Sequence, residues 1–331
     1  MRYSLARHTS DQIYGSRSIK NGEFNILQDP TVIYKHVIYY LVSSTNKTLV
    51  LDGKDVTLSA SRLELIVKQD KQIKKYLPSN FDYDMVFSTA MTGYVSIKAL
   101  NWLSSRKAGL LFYQVNGEPI YTAIPNYPDR DPHIQIKQFR AFMDEKIRSK
   151  IAEKILKAKY EKANKLLFKL GYEPISTKYE EQTFSRLYWL KLREQIRKYG
   201  YEYDTRKGVN KVLNRHATSI INATLNLFYG YVESKILLEI AKQGLNPYIS
   251  FLHKPTFQKS SLAYDIVEYV RSDIDDIVLD MFKNNKIKQD MFYIVENSYY
   301  LVKNPHIAIS KLEHLDITHI LDDIMTTFDD I

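Results

Sequence analysis

Short runs of β-branched and aromatic residues occur in the first third of the chain, and apolar residues at helical spacing follow. The runs "TLVLDGKDVTL" and "DMVFST" predict strands. Asp52-Gly53 between two β-rich runs is a typical two-residue hairpin turn, and Asn116-Gly117 predicts a second hairpin between "LLFYQ" and "PIYTAI". The segment "VSIKALNWLSSRKAG" predicts a helix among the strands, because its apolar residues recur at helical spacing.

In the last two thirds of the chain, apolar residues recur about every 3.6 positions, which is the period of an α-helix. The pattern predicts one long helix from Ile134 to Gly171 and a second helix that ends at Gly200. It also predicts one long helix, or a broken pair, that ends at Gly244. Further helices are predicted in "SLAYDIVEYVRSDIDDIVLDMFKNN" and in the C-terminal stretch.

Residues 125–132, "PNYPDRDP", separate the two regions. Three prolines among these residues continue neither a strand nor a helix, so we predict a linker here. The predicted fold class is therefore α+β, with a small N-terminal β-rich domain, residues 1–124, and a larger all-α C-terminal domain, residues 133–331. A chain of 331 residues is long enough for two such domains.

The composition is that of a globular protein, with 44% hydrophobic and 26% charged residues. The absence of cysteine excludes disulfides, thiolate zinc sites and cysteine nucleophiles. The N-terminal "MRYSLARHTSDQ" has no apolar signal core, and the apolar run "VIYYLV" is too short to cross a bilayer. We therefore expect a cytoplasmic protein with no membrane partner.

The formal net charge of +9 at pH 7 favours a polyanionic partner such as nucleic acid. Basic residues concentrate in the helical region, although a charged helix face is also ordinary solvent-exposed surface. The concentrated residues are Lys146, Arg148, Lys150, Lys154, Lys157, Lys159, Lys162, Lys165, Arg193, Arg197, Lys198, Arg206, Lys207, Lys211 and Arg215. A protein that acts on DNA needs such charge, because phosphate contacts supply sequence-independent affinity.

Candidate chemistry lies in the segment "FLHKPTFQKSSLAYDIVEYVR", since the sequence has no phosphate-binding glycine loop, no nucleophile elbow and no zinc helix. His253 precedes a predicted helix on which Asp265 and Glu268 share one face. Two carboxylates and one imidazole suit Mg²⁺ or Mn²⁺. The same spacing is common on ordinary helix surfaces, so the pattern alone leaves both interpretations open.

A second acidic candidate is Glu181, at the start of another predicted helix. It shares a face with Phe184, Ser185 and Tyr188. By pattern alone, an ion pair to a lysine one turn along the helix is the more ordinary interpretation of Glu181.

Four blocks of the sequence resemble the CRISPR-associated adaptation endonuclease and integrase family, the larger of the two universal spacer-acquisition proteins. Three blocks are "EEQTFSRLYW", "INATLNLFYGYV" and "GLNPYISFLHKPTFQKSSLAYDIVEYVRSDIDDIV", and the last has the family's spaced motifs in order. A looser match is "GYVSIKALNWLSSRKAGLLFYQVNGEP" in the β-rich region. The resemblance begins near Leu49, and Gln182, Leu227 and Ser250 depart from the family pattern.

The resemblance implies a metal ion, Mg²⁺ or Mn²⁺, that is bound by Glu181, His253 and Glu268. It implies Asp265 as a further catalytic residue, in or beside the ligand set of the metal. The DNA-binding residues that it implies are Arg186, Tyr188, Lys259 and Arg271.

The activity implied by the resemblance is insertion of prespacer DNA into a CRISPR repeat array. A DNA 3′-hydroxyl attacks a phosphodiester in a metal-dependent transesterification, and water in its place gives hydrolysis. The implied partners are double-stranded and branched DNA, a second copy in a homodimer, and the small CRISPR-associated spacer-acquisition protein.

Two other interpretations remain open at the level of sequence. One is a transposon-borne integrase of the same fold, which usually has an added C-terminal DNA-binding module. The end of this chain soon after the shared region favours the CRISPR enzyme over that integrase. The other is a DNA-binding scaffold without catalysis, in which the acidic cluster is a structural ion-pair network.

Overall fold

A computed structural model describes most of the chain from Lys47 onward. The described residues are 47–52, 55–69, 72–90, 92–113, 119–127, 131–203, 217, 219–255, 259–295, 298–301 and 305–330. They belong to one compact unit, Thr45–Ile331. The first 46 residues, the predicted turn at Asn116-Gly117 and the basic residues between positions 204 and 216 lie outside the described residues.

The strands lie in the N-terminal region, apart from one late pair. They are β1 Thr48–Leu51, β2 Asp55–Ala60, β3 Leu65–Gln69, β4 Gln72–Tyr76, β5 Met85–Ser88, β6 Thr92–Val95, β7 Gly109–Tyr113, β8 Pro119–Ala123, β9 Phe292–Val295 and β10 Ser298–Leu301. The first eight strands form two four-stranded sheets with the orders β1-β5-β7-β8 and β4-β3-β2-β6. The predicted hairpin between β7 and β8 is confirmed, with Leu111 opposite Thr122 in an antiparallel pair.

The hairpin predicted at Asp52-Gly53 is wrong, because β1 and β2 lie in different sheets. Most of β1 is buried, and it pairs in parallel with β5, with Leu49 opposite Val86. The strand β2 instead pairs with β3 and β6. A strand buried on both faces takes the neighbours that complete the core, and this tertiary preference overrides a local turn signal.

The helices lie where the periodicity of apolar residues predicts them. They are α1 Ile97–Ser105, α2 His133–Met143, α3 Glu145–Lys169, α4 Glu181–Lys198, α5 Ile220–Gln243, α6 Ser261–Lys283, α7 Pro305–Leu312 and α8 Ile317–Thr326, with 3₁₀ turns at Gln289–Met291 and Thr327–Asp330. Gly171 and Gly244 follow α3 and α5 with φ of 81° and 77°, the left-handed conformation that ends helices. Sheets followed by helices confirm the α+β fold class.

The single helix predicted from Ile134 to Gly171 is two helices, α2 and α3. The break lies at Asp144, which has extended backbone dihedrals and caps α3. Its Oδ1 accepts hydrogen bonds from the backbone N–H groups of Lys146 (2.9 Å) and Ile147 (3.2 Å). Aspartate at such a position begins a new helix, although the apolar period continues through it.

The pair β9–β10 is an antiparallel hairpin within the otherwise helical region, and sequence analysis did not anticipate it. Its segments "FYIV" and "SYYL" are aromatic and β-branched, so the local signal was present. None of the helices in the described part of the chain is long and apolar enough to span a bilayer.

The buried apolar residues form two hydrophobic clusters. One lies within the N-terminal region, and the other joins strands to helices. Phe87 of β5 and Tyr113 of β7 pack in the same cluster as the buried residues of α3, α4, α5 and α6. The hydroxyl of Tyr113 donates to the Gly230 carbonyl at 2.5 Å, and Thr48 Oγ1 lies 2.7 Å from the Tyr231 hydroxyl. The predicted division at residues 125–132 therefore stays a prediction, although α2 begins directly after that segment.

Candidate active site

The buried carboxylate of Asp265 organises one wall of the candidate site. Asp265 lies in the first turns of α6 with no exposed surface. Its Oδ2 accepts the backbone N–H groups of Phe251 (2.6 Å) and Leu252 (3.0 Å), and its Oδ1 accepts the backbone N–H of His253 (3.0 Å). The same Oδ1 lies 2.8 Å from His253 Nδ1. One side chain of α6 thus fixes the loop that precedes the helix.

This arrangement sets both the orientation and the charge of His253. The hydrogen bond that the imidazole donates to Asp265 raises the pKa of His253. Burial of the ring opposes that rise, and the negative charges of Asp265 and Glu268 add to it. Because Nδ1 is engaged by a carboxylate, Nε2 is the nitrogen through which the ring would bind a metal ion or a substrate group.

Asp265 and Glu268 do not act alike, although sequence analysis assigns both to catalysis. The four hydrogen bonds of Asp265 direct it into the protein, toward the loop at His253. This geometry supports a positioning role for Asp265 through His253, rather than contact with the reacting atoms. The carboxylate of Glu268 instead lines a cavity at the surface of the helical region.

Glu268 is held in its ionised form by two cations. Arg271, one turn along α6, donates to it from Nε at 3.0 Å and also from Nη2. Lys159 of α3 forms an ion pair with Glu268 Oε2 at 2.9 Å. Burial alone would raise the pKa of Glu268, but the charges of Arg271 and Lys159 more than offset burial and lower the pKa to about 2.

Glu181 reaches the same cavity from the first residue of α4. Its Oε1 accepts the Ser185 hydroxyl at 3.0 Å and forms an ion pair with Lys159. Burial acts to raise the pKa of Glu181, while the hydrogen bond and charge of Lys159 lower it, and the net direction is down. Glu181 and Glu268 are therefore both held in their ionised, negatively charged form.

Lys159 is a side chain of the candidate site that sequence analysis did not assign to it. Its ammonium contacts Glu181 and Glu268 together, and only 7% of its side chain is exposed. The two carboxylates thus lie within hydrogen-bonding distance of one cation, although they belong to helices α4 and α6.

A sequence signal for Lys159 existed. It follows Ile147, Ile151 and Ile155 at intervals of four residues, on the stripe of α3 that is buried. A lysine on an apolar stripe indicates a buried ion pair, whereas sequence analysis groups Lys159 with the exposed charges of its helix.

The cavity at these residues has a volume of about 550 Å³. Its lining residues are Lys159, Ala163, Glu181, Phe184, Ser185, Tyr188, Trp189, His253, Glu268, Arg271 and Ser272. The three predicted metal ligands are therefore brought to one cavity from three separate chain segments. In the arrangement described, no three histidine or acidic side chains of the described residues are grouped closely enough to hold a metal ion.

The chemistry of the donors nevertheless fits Mg²⁺ or Mn²⁺. Two ionised carboxylates and an imidazole oriented by a carboxylate face one polar cavity, and a cation already lies between the carboxylates. The ligand set predicted from the sequence, Glu181, His253 and Glu268, stays a prediction.

The four predicted DNA-binding residues fall into two groups. Arg186 and Lys259 are exposed and are not among the described residues that line the cavity. Tyr188 is buried, and its hydroxyl donates to Asp275 at 2.8 Å. Arg271 is bound to Glu268. Tyr188 and Arg271 therefore support the wall of the cavity in this structure, and their contact with DNA stays a prediction.

Asp275 and Tyr229 contact the wall residues Tyr188 and Arg271 without lining the cavity themselves, and sequence patterns did not single them out. The Tyr229 hydroxyl donates to Asp275 at 2.6 Å. The guanidinium of Arg271 lies over the Tyr229 ring, 5.3 Å from its centroid. These contacts fix Arg271 beside Glu268.

Comparison with known proteins identifies relatives over most of the chain. Residues 49–182 and 176–311 match the protein family described as CRISPR associated protein Cas1. A CRISPR-associated endonuclease Cas1 of Moorella thermoacetica is 23% identical over 225 residues, which are 63% of this chain and 68% of that protein.

Solved structures share the fold. A Cas1 protein from Thermotoga maritima has a TM-score of 0.72 at 15% identity, over 85% of this chain and 97% of that one. A casposase bound to integration product has a TM-score of 0.69 at 22% identity, over 86% of this chain and 82% of that one. A chain of a Cas6-RT-Cas1–Cas2 complex has a TM-score of 0.64 at 15% identity, over 87% of this chain and 35% of that one.

Proposed function

This chain belongs to the Cas1 family of CRISPR-associated proteins, and from that premise we propose that it is a metal-dependent DNA endonuclease and integrase of CRISPR adaptation. Its reaction inserts prespacer DNA into the repeat array. A DNA 3′-hydroxyl attacks a phosphodiester, a new P–O bond forms and the bond to the leaving strand breaks, so the number of phosphodiesters is unchanged. With water as the nucleophile, the same site hydrolyses DNA.

The observation that supports this proposal most directly is the convergence of Glu181, His253 and Glu268 on one cavity. The residues come from α4, from the loop before α6 and from α6 itself. Such convergence of distant titratable side chains is typical of a catalytic site rather than of ordinary helix surface.

Glu181, His253 and Glu268 would hold Mg²⁺ or Mn²⁺, which when bound would polarise the scissile phosphate and stabilise the charge on the leaving oxygen. The residues of the chain prepare the site for this. Asp265 holds the imidazole of His253 in one orientation. Arg271 offsets the charge of Glu268 and keeps it ionised, and its own position is fixed by Tyr229.

The proposed function also implies a substrate and partners. The basic residues of α3 and α4 suit the phosphates of double-stranded and branched DNA. The likeness to a chain of a complex that contains Cas2 supports a small spacer-acquisition partner. We also propose that the protein forms a homodimer and acts in the cytoplasm.

Strand transfer into a repeat-containing plasmid tests this function. Prespacer DNA is incubated with the protein, with and without the small partner, in Mn²⁺ or in EDTA. We expect joined products in Mn²⁺ and none in EDTA. Products formed equally well in EDTA would contradict the metal dependence.

Glu181→Ala, His253→Ala and Glu268→Ala should each abolish strand transfer and leave DNA binding, measured by gel shift, largely intact. Glu180→Ala is the matched control, because its exposed side chain directly precedes Glu181 without lining the cavity. Full activity in one of the three variants would remove that residue from the mechanism.

A transposon-borne integrase is the second candidate, because the fold also matches a casposase bound to integration product. The two functions differ in the DNA that they accept. Integration of transposon-end DNA in preference to prespacers would favour the casposase-like function. DNA binding without strand transfer or cleavage in either metal would instead indicate a non-catalytic scaffold.

A further inference from the structure

The ammonium of Lys159 lies between the two carboxylates that are proposed to hold the metal ion. Its Nζ forms ion pairs with Glu181 Oε1 and Glu268 Oε2, and the side chains of Lys159 and Glu268 are 7% and 8% exposed. Both of its described ion pairs are with proposed metal ligands. A buried ammonium in this place supplies part of the positive charge that a metal ion would supply.

Charge balance separates the role of Lys159 from that of Arg271. Glu181 and Glu268 contribute two negative charges, and Lys159 and Arg271 contribute two positive ones. Arg271 is anchored over the Tyr229 ring on the same wall. Lys159 reaches the carboxylates from α3 on a flexible stem, so it is the cation that is able to leave.

We propose that Lys159 is an internal cation that competes with the divalent metal ion for Glu181 and Glu268. With Arg271, Lys159 neutralises the carboxylates in the metal-free protein. A divalent ion would raise the positive charge at these two carboxylates from two to four, so repulsion drives Lys159 away on metal binding. Metal binding is then an exchange of cations. This inference rests on the metal dependence proposed above.

The exchange also explains how Glu181 and the buried Glu268 are both kept neutralised in the metal-free protein. Removing their partner leaves uncompensated buried charge, which is strongly destabilising. The polar cavity of about 550 Å³ beside Lys159 gives the released ammonium access to water and to a phosphate that enters the same cavity.

Calorimetric titration with MnCl₂, in the absence of DNA, tests the competition. Lys159→Met should bind Mn²⁺ about tenfold more tightly or better than wild type, because no ion pair has to be broken. Lys159→Arg retains a cation and should bind no more tightly than wild type. The matched control is Lys162→Met, on the same helix as Lys159. It removes an ion pair with Asp273 of α6, neither residue lines the cavity, and the affinity should not change.

A second measurement uses the wild-type protein and does not depend on the folding of a variant. Brief acetylation with an N-hydroxysuccinimide ester, followed by peptide mass spectrometry, reports how accessible each lysine is. We expect Lys159 to be protected in EDTA and labelled in Mn²⁺. Lys235, which is buried at a distance from this site and donates to the Glu313 carbonyl at 3.1 Å, should stay protected in both.

The outcomes separate this inference from the proposed function. If wild type binds Mn²⁺ and folded Lys159→Met binds it equally well or more weakly, Lys159 does not compete with the metal ion. The same follows if Lys159 stays protected in Mn²⁺. Either result leaves the proposed metal dependence intact. Absence of Mn²⁺ binding from wild type and Lys159→Met alike overturns both. If Lys159→Met binds Mn²⁺ and wild type does not, the result supports a competition in which Lys159 keeps the metal ion out in the absence of DNA.

Discussion

Asp265 shows how a single side chain determines the geometry of this site. Asp265→Asn replaces one carboxylate oxygen with an NH₂ group that faces backbone N–H donors, so hydrogen bonds to the loop at His253 are lost. We expect the free energy of unfolding to fall by about 2–4 kcal/mol. The pKa of His253 should fall, because its hydrogen bond to Asp265 is the largest cause of its rise.

Urea denaturation and NMR titration of the imidazole measure these two effects. Asp273→Asn is the control. Asp273 lies on the same helix, is partly exposed and pairs with Lys162, and its substitution should change stability by no more than about 0.5 kcal/mol. A stable Asp265→Asn protein with an unaltered His253 titration would remove Asp265 from its positioning role.

Glu268 makes the metal-free protein sensitive to acid. Its pKa is about 2 in the folded chain, against an ordinary value of 4.5. A lowered pKa means that the ionised group contributes stability above pH 4.5, and that this contribution is lost as the pH falls toward 2. In EDTA, wild type should exceed Glu268→Gln by up to about 3 kcal/mol at pH 7.

Urea denaturation of both proteins across pH 7 to 2 checks this expectation. The two stabilities should converge as the pH falls below 4.5. A difference that stays constant over this range would mean that the cations near Glu268 do not stabilise its ionised form.

At the scale of elements, the junction between α2 and α3 depends on one helix cap. Asp144→Ala should lower the free energy of unfolding by about 1 kcal/mol, because two N–H groups of the first turn of α3 lose their acceptor. Asp144→Asn keeps a side-chain oxygen and should lose much less. Urea denaturation of the three proteins measures the difference, and equal losses in both variants would exclude capping as the cause.

At the scale of the whole molecule, the hydrophobic cluster and the hydrogen bonds that join strands to helices predict one cooperative unfolding transition. The chain has two tryptophans, Trp102 in α1 and Trp189 in α4. Trp189→Phe leaves a fluorescent reporter among the strands, and Trp102→Phe leaves one among the helices. After correction for the stability of each variant by circular dichroism, both fluorescence transitions should coincide with the loss of helix.

Two separated transitions would show instead that the regions on either side of residues 125–132 unfold as independent domains. That result would support the division predicted from the sequence. It would also mean that the contacts of Tyr113 with α5 contribute little to cooperativity.

Local sequence patterns were sufficient to predict the class of fold, most helices and strands, and the segment around His253, Asp265 and Glu268. Those features depend on periodicity, turn residues and spacing within about two dozen positions, and such short-range patterns reflect local physics. Glu181 was assigned to the site through family resemblance, because its pattern alone favoured an ordinary ion pair.

The folded chain was needed to show which sheet contains β1, how the contacts of Asp265 and Glu268 differ, and that Lys159 lies between two acids. Each depends on contacts with residues far away in the chain, as with Lys159 and Glu268, which are 109 positions apart. Helical periodicity places a side chain on a face but does not identify what packs against that face. Charge in a buried site is set by those distant partners, and so is its chemistry.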